Sequence, residues 1–174
     1  IRRQRQMCIR DRNVTEIIGG GSKMTMTVRY QSLTQPLTEV SNIQDVPSDA
    51  TIIWYDFENA SNKENEFLRN KFDFNYLEID DAITGIPRVK YKEYKEYQYM
   101  IFHSIIDKDY SPIALNVFLQ NNILVTYHHK PFQSLKRVAE YNAENHDSEL
   151  DCADIVIHIL DSMVDKYFDF VYGI

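Results

Sequence analysis

This sequence predicts an α/β domain in which a mixed sheet carries helices on both faces. Three observations lead there. Short runs rich in β-branched and aromatic residues occupy much of the first 130 positions. Capped amphipathic segments of helical period interrupt them and then concentrate at the C-terminal end. Hydrophobic residues make up 44% and aromatics 13% of the 174 residues, enough for one domain with a sizeable core.

Taken in order, residues 1–23 (IRRQRQMCIRDRNVTEIIGGGSK) read as foreign to the rest. Their arginine repetition and Gly19-Gly20-Gly21-Ser22 stretch suggest a tag, vector-derived or mistranslated flank, with a native start near Met24 or Met26. A basic tail touching anionic lipid or RNA is the competing reading. Residues 24–174 then form the domain. Met26–Tyr30 alternates as a strand, and a second short strand is expected near Leu37–Val40. Pro47-Ser48-Asp49 is a turn. Thr51–Phe57 (TIIWYDF) is an apolar strand suited to burial on both faces. Ser61 and Glu64 make a capping box that opens a helix to about Lys71.

The segment FDFNYLEIDDAITGIPRVKY (residues 72–91) is the organising stretch. Asn75 caps a short helix, with Glu78 spaced to bond back. Leu77, Ile79 and Ile83 supply apolar anchors. Gly85 ends the helix and Pro87 blocks its continuation. Tyr91–Ile106 reads as one long strand, or a short one running into a buried one. Asp107–Pro112 is a turn. Ile113–Leu119 and Ile123–His128 form a hairpin around Gln120-Asn121-Asn122. Pro131 is placed to begin a helix reaching about Asn142, and Ser148 to start the last helix, reaching about Tyr172.

The formal charge of −7 hides an asymmetry. Residues 1–23 hold six Lys/Arg against Asp11 and Glu16, a net of +4, so the remainder carries −11. An acidic body argues against a nucleic-acid groove and is compatible with cation binding or simply with solubility. Cys8 and Cys152 lie far apart without metal-ligand spacing, as in a reducing, cytosolic compartment. No apolar run reaches the roughly 18–20 residues of a membrane helix, and no secretory h-region follows the basic start. Phosphate loops, nucleophile elbows and zinc-finger spacings are absent. The pair His128-His129 reads as loop-exposed, and His103 as a half-buried strand residue.

Two acidic constellations stand out. In the last helix, Leu150, Ala153, Val156, Ile157, Ile159, Leu160, Met163, Val164, Tyr167, Phe168 and Val171 cover a broad apolar arc. Asp154, His158, Asp161 and Asp165 share the remaining sector of roughly 60° at about 100° per residue. This is either a solvated stripe or a cation-attracting ridge, since stacked carboxylates repel and a divalent ion relieves the repulsion. Asp80 and Asp81, being adjacent, point about 100° apart on their helix. They suit two sides of a site completed by another element or subunit, or plain solvation.

The order of these features resembles the cytoplasmic N-terminal domain of the CorA-type magnesium and cobalt transporters. The resemblance runs from about Ile52 to Val171, through WYDFENAS, FDFNYLEIDDAITGIPRVKYKEYKEYQYMIFHSI, FLQNNILVTYHHKP and CADIVIHILDSMVDKYFDFV. It implies a three-layer α/β/α sandwich with a mixed parallel and antiparallel sheet, in a homopentameric channel at the cytoplasmic face of the cell membrane. Regulatory Mg²⁺, with Co²⁺ or Zn²⁺ as alternatives, would bind between neighbouring copies and hold the pore closed. The family's acidic pair falls on Asp80 and Asp81, and a further ligand on Asp161; Asp154, His158 and Asp165 are weaker candidates. The family's Gln-Arg-Pro-Lys turn appears as Pro87-Arg88-Val89-Lys90, and Lys92 stands where an acidic residue often follows. Stalk, transmembrane helices and the Gly-Met-Asn signature are absent, so the chain reads as a sensor domain touching the membrane only through a missing C-terminal part. It is not expected to be an enzyme or to bind nucleic acid. The alternatives are a zinc-transporting branch of the family, or a stand-alone metal-dependent hydrolase using Asp154, His158, Asp161 and Asp165.

Overall fold

The computed structural model describes residues 25–86, 88–106 and 111–172, with 105, 106, 111 and 167–172 in backbone only. The basic flank, Cys8, Pro87 and most of the turn expected after Ile106 lie outside these residues. Seven strands form one sheet: β1 (Met26–Gln31), β2 (Thr38–Val40), β3 (Ile52–Glu58), β4 (Lys90–Glu93), β5 (Gln98–Ile106), β6 (Ser111–Gln120) and β7 (Ile123–His128). Their order is β2-β1-β3-β7-β6-β5-β4. Among the described strands only β3 and β7 run parallel, from Ile53 opposite Ile123 to Glu58 opposite His128. The other neighbours are antiparallel, so the sheet is mixed as predicted.

Among the described residues four α-helices cover it: α1 (Asn62–Lys71), α2 (Tyr76–Thr84), α3 (Gln133–Glu144) and α4 (Cys152–Tyr172). Alternation along the strands divides the core in two. On one face, Tyr55, Phe57, Tyr99, Phe118 and Tyr127 pack against Phe67, Leu68, Ile79 and Ala82 of α1 and α2. On the other, Trp54, Leu115, Val117 and Leu124 pack against Leu135, Val138, Ile155 and Ile159 of α3 and α4. The result is the α/β/α sandwich. A parallel β3–β7 pair requires a crossover. The chain makes it by sending α1 and α2 over one face to β4 at the far edge, then returning through the β4–β7 meander.

An aromatic ladder sets where α2 lies. Phe72 and Phe74 stack at 5.1 Å between ring centres, and Phe74 stacks on Phe118 at 4.5 Å. The Asn75 N–H donates to the Tyr97 hydroxyl at 2.8 Å. The short link between α1 and α2 is thereby pinned to the sheet, and α2 has one way to lie.

Several sequence expectations are corrected in detail. Tyr91–Ile106 is a hairpin, not one strand: Tyr94 N–H donates to Tyr97 C=O at 2.8 Å and the two rings stack at 4.7 Å. No Gly, Asn or Pro marks that turn; aromatic packing closes it. Ser111 and Pro112 already belong to β6. Pro131 lies before the Phe132 cap of α3 rather than inside the helix. The last helix starts at Cys152, not Ser148, because Asp147–Leu150 forms a turn first. Leu77 is exposed, as are Ile157 and Val164, so the buried arc of α4 is narrower than the apolar one. Both caps of α2 hold in part. Asn75 Oδ1 accepts from Leu77 N–H at 2.9 Å, and Gly85 closes the helix in the left-handed region at φ 74°. Glu78, however, does not bond back to the cap.

Candidate functional site

Glu78 sits on α2 with Ile79 and Ala82, on the face turned to the core, and is 1% exposed. A buried carboxylate requires partners. Its Oε1 accepts from the Tyr94 hydroxyl at 2.5 Å and its Oε2 from Lys90 Nζ at 3.1 Å. Lys92 Nζ stands 3.7 Å from Oε1. Burial pushes the Glu78 pKa up, but Tyr94, Lys90 and Lys92 outweigh it and hold the carboxyl below its usual range.

The neighbouring pair is turned outward. Asp80 Oδ1 lies 2.9 Å from Arg69 Nη2 of α1, with both side chains about half exposed. Asp81 Oδ2 lies 2.9 Å from Lys90 Nζ. Lys90 therefore bridges Glu78 and Asp81 across the gap from β4. Its pKa is raised, first by the hydrogen bond to Asp81 and then, against burial, by Glu78. The two aspartates thus point to different cations, as their 100° separation requires.

On the opposite layer the α4 stripe divides. Asp154 Oδ2 accepts from Asp151 N–H at 3.0 Å, and Asp151 Oδ1 accepts from Asp154 N–H at 2.9 Å. This reciprocal cap uses Asp154 to start the helix, away from the other three. His158, Asp161 and Asp165 line a groove of about 430 Å³ between α3 and α4, with Arg137, Tyr141 and Ser162. Asp161 and Asp165 are exposed and enter no ion pair among the described residues. Among those residues, too, no three His, Cys, Asp or Glu side chains converge where they could hold a metal ion. The four-residue concavity that a metal-dependent hydrolase would need is therefore not assembled.

The oxygen donors of Asp80, Asp81 and Asp161 fit Mg²⁺ in kind, because hard cations take carboxylate oxygens. In number they are incomplete. Asp80 and Asp81 lie on the α1/α2 layer and Asp161 on the α3/α4 layer, with the sheet between. Mg²⁺ tolerates few protein ligands because it retains water.

Sequence reasoning missed Glu78, Lys90 and a buried pair at the ends of the parallel strands. His128 is not loop-exposed: the residue is 1% exposed, with Nε2 2.9 Å from Asp56 Oδ1. The signal was available for Glu78, which shares a helical face with Ile79 and Ala82. It was available for His128 as the last residue of a central strand buried on both faces. His103 is half-buried and His129 exposed, as expected, with His129 Nε2 3.1 Å from the Ala82 carbonyl oxygen.

The described residues form a three-layer domain with charged clusters on both outer layers, and no described helix is long and apolar enough to cross a membrane. The complete structure of the CorA magnesium transporter of Methanocaldococcus jannaschii superposes with a TM-score of 0.68 at 15% identity, over 87% of this chain and 48% of that one. The ZntB cytoplasmic domain of Vibrio parahaemolyticus RIMD 2210633 does so with a TM-score of 0.66 at 13% identity, over 86% and 64%. The chain belongs to the CorA-like Mg²⁺ transporter protein family, whose pattern matches residues 49–174. Its fold is that of the family's N-terminal cytoplasmic domain. The Bacillus subtilis (strain 168) protein YfjQ, which is named for metal ion transport, is 25% identical over 150 residues, covering 82% of this chain and 47% of YfjQ. The chain thus spans about half the length of that relative.

Proposed function

We propose that this domain is the regulatory part of a divalent-cation transporter at the cytoplasmic face of the membrane, and that it senses Mg²⁺ between neighbouring copies of itself. Asp80 and Asp81 of one copy and Asp161 of the next share a hydrated ion. His158 and Asp165 hold its waters from the rim of the groove, while Asp154 serves only as a cap. The observation that carries this reading is the placement of the outward carboxylates on opposite layers of one sheet. No single chain can bring them to one ion, but a closed ring can. In a ring, each copy presents one face to the neighbour on its left and a different face to the neighbour on its right. A homopentamer is one such ring. The ion bridges carboxylates of two copies at each boundary, so its concentration is coupled to the symmetry of the assembly. Affinity is weak, because few direct ligands replace hydration water.

The test is sedimentation velocity of the chain during Mg²⁺ titration, with Asp81→Asn and Asp161→Asn alone and mixed. Mg²⁺ should promote association, and each variant alone should lose the response. The mixture should recover part of it, because one variant supplies Asp161 and the other Asp81. Variants that respond like the parent chain would defeat the proposal. Parallel titrations with Co²⁺ and Zn²⁺ identify the ion, since the carboxylates bind all three.

A further inference from the structure

We infer that Lys90 is a built-in competitor of the metal ion, occupying Asp81 when the ion is absent and retreating onto Glu78 when it binds. The inference rests on the sensing role proposed for Asp81 and adds the residue that sets its threshold.

The geometry has three parts. Lys90 Nζ lies 2.9 Å from Asp81 Oδ2 and 3.1 Å from Glu78 Oε2, so one ammonium holds two carboxylates at once. The two are not equivalent. Glu78 is 1% exposed at its side chain and cannot be left without a cation, whereas Asp81 is 22% exposed and can be taken over by an ion arriving from solvent. Lys90, 24% exposed, then has somewhere to stay. It keeps its Glu78 bond and gives up only the outer one, while Tyr94 and Lys92 help to hold Glu78 in place. The exchange therefore leaves no buried charge uncompensated.

Asp80 is arranged differently. Its partner Arg69 comes from α1 and holds no second carboxylate by an ion pair among the described residues. Displacing Arg69 would leave a guanidinium to find water, whereas displacing Lys90 leaves it paired. Asp81 is accordingly the carboxylate built to be exchanged. The ammonium also repels the incoming ion directly. A dication and an ammonium roughly 5 Å apart in water repel by an amount equal to about a tenfold change in binding constant. Lys90 thus keeps Asp81 from responding to low ion concentrations.

The experiment measures Mg²⁺ affinity of the chain by isothermal calorimetry and by chemical shifts of the Asp81 amide, at fixed ionic strength. Lys90→Met should lower the half-saturating Mg²⁺ concentration about tenfold. Lys92→Met removes the same charge without touching Asp81 and should change it much less. The double variant Lys90→Met/Glu78→Gln avoids an unpaired buried carboxylate and should match Lys90→Met, which guards against a folding defect. If Asp81→Asn abolishes binding but Lys90→Met binds no tighter than the parent chain, the competitor role is overturned and sensing through Asp81 stands. If Lys90→Met and Lys92→Met tighten binding equally, only net charge acts and the inference also falls. If no protein in the set binds Mg²⁺, both the inference and the sensing role fail.

Discussion

Replacing Asp56 with Ala should destabilise the chain and reverse the pH response of His128. The His128 side chain is 2% exposed and that of Asp56 13%. His128 Nδ1 lies 2.6 Å from the Lys130 carbonyl oxygen and Nε2 2.9 Å from Asp56 Oδ1. Both partners only accept, so satisfying them requires a proton on each ring nitrogen, which is the imidazolium. Asp56 Oδ1 also accepts from the Thr126 hydroxyl at 2.6 Å, and that hydroxyl oxygen accepts from Trp54 Nε1–H at 2.8 Å. Asp56 thus ties His128 and Thr126, and through Thr126 also Trp54, into one network across β3 and β7.

Burial pulls the His128 pKa down, but the charge and hydrogen bond of Asp56, with help from Lys130 C=O and Glu58, carry it above its ordinary value. A histidine raised on folding contributes stability that is complete below the unfolded pKa of about 6.5, and that contribution is lost as pH rises through the folded pKa. The parent chain should therefore lose stability from this group on going from about pH 6 to pH 8. In Asp56→Ala, burial dominates, His128 favours the neutral form, and the loss moves to acid pH. Removing one partner of a buried pair costs about 3–5 kcal/mol, or roughly 6–20 °C in Tm for a chain of this size. Thermal and urea denaturation across that pH range measure both effects. A variant whose pH slope keeps the sign of the parent's, after subtraction of a His128→Gln control, would refute the reasoning.

Gly85→Ala should cost about 1–2 kcal/mol, because φ is 74° while the added Cβ would meet only the His129 ring at an ordinary 3.5 Å; urea melts read this, and a neutral result would contradict the left-handed cap. Asp154→Ala should cost about 0.5–2 kcal/mol through loss of the cap, and the cost should be the same with and without Mg²⁺; a cost that changes with Mg²⁺ would return Asp154 to the ligand set. The Cys152 thiol is buried and its pKa is pushed up to about 12, by desolvation first and then by Asp151. In a Cys8→Ser background, Cys152 should resist Ellman's reagent near neutral pH until denaturant is added, whereas rapid labelling of the native chain would contradict its burial.

The elements that sequence reading located well were those whose signals are local. Ser61 and Glu64 predict the start of α1, and the Glu64 carboxylate indeed accepts from Ser61 N–H at 3.0 Å. Asn121, at φ 51°, makes the hairpin its residue type suggests. What sequence reading missed is nonlocal. The β4–β5 turn depends on Tyr94 stacking with Tyr97, and the sequence KEYKEY repeats through it with no Gly, Asn or Pro to mark a turn. Glu78 fits a capping box by spacing, but its partners come from β4 and the turn after it, 12 and 16 residues further on. Asp56 and His128 are 72 residues apart and meet only because β3 and β7 pair in parallel. The acidic residues were legible as residues, but their ion pairs were not, because a partner across a fold leaves no periodic mark.

The two faces proposed to meet in the ring differ in charge, and this bears on what happens without metal. On the α2 corner, Glu78, Asp80 and Asp81 face Arg69, Lys90 and Lys92, which makes it nearly neutral. The α4 face holds Asp161 and Asp165 beside Arg137 and is net acidic. Were both faces bare carboxylate, a body of charge −11 would drive its own copies apart. With Lys90 and Arg69 on one side, an ion-free boundary can form by pairing these cations with Asp161 and Asp165 of the neighbour. On the proposed reading, Mg²⁺ would then replace a weak, screened contact with a bridged one rather than create contact from nothing. The consequence is measurable: association in EDTA should weaken steeply between about 0.01 and 0.15 M salt, as the screening length falls from about 30 to 8 Å. Association in saturating Mg²⁺ should depend on salt far less. Equal salt dependence in both conditions would mean that Lys90 and Arg69 take no part in the contact.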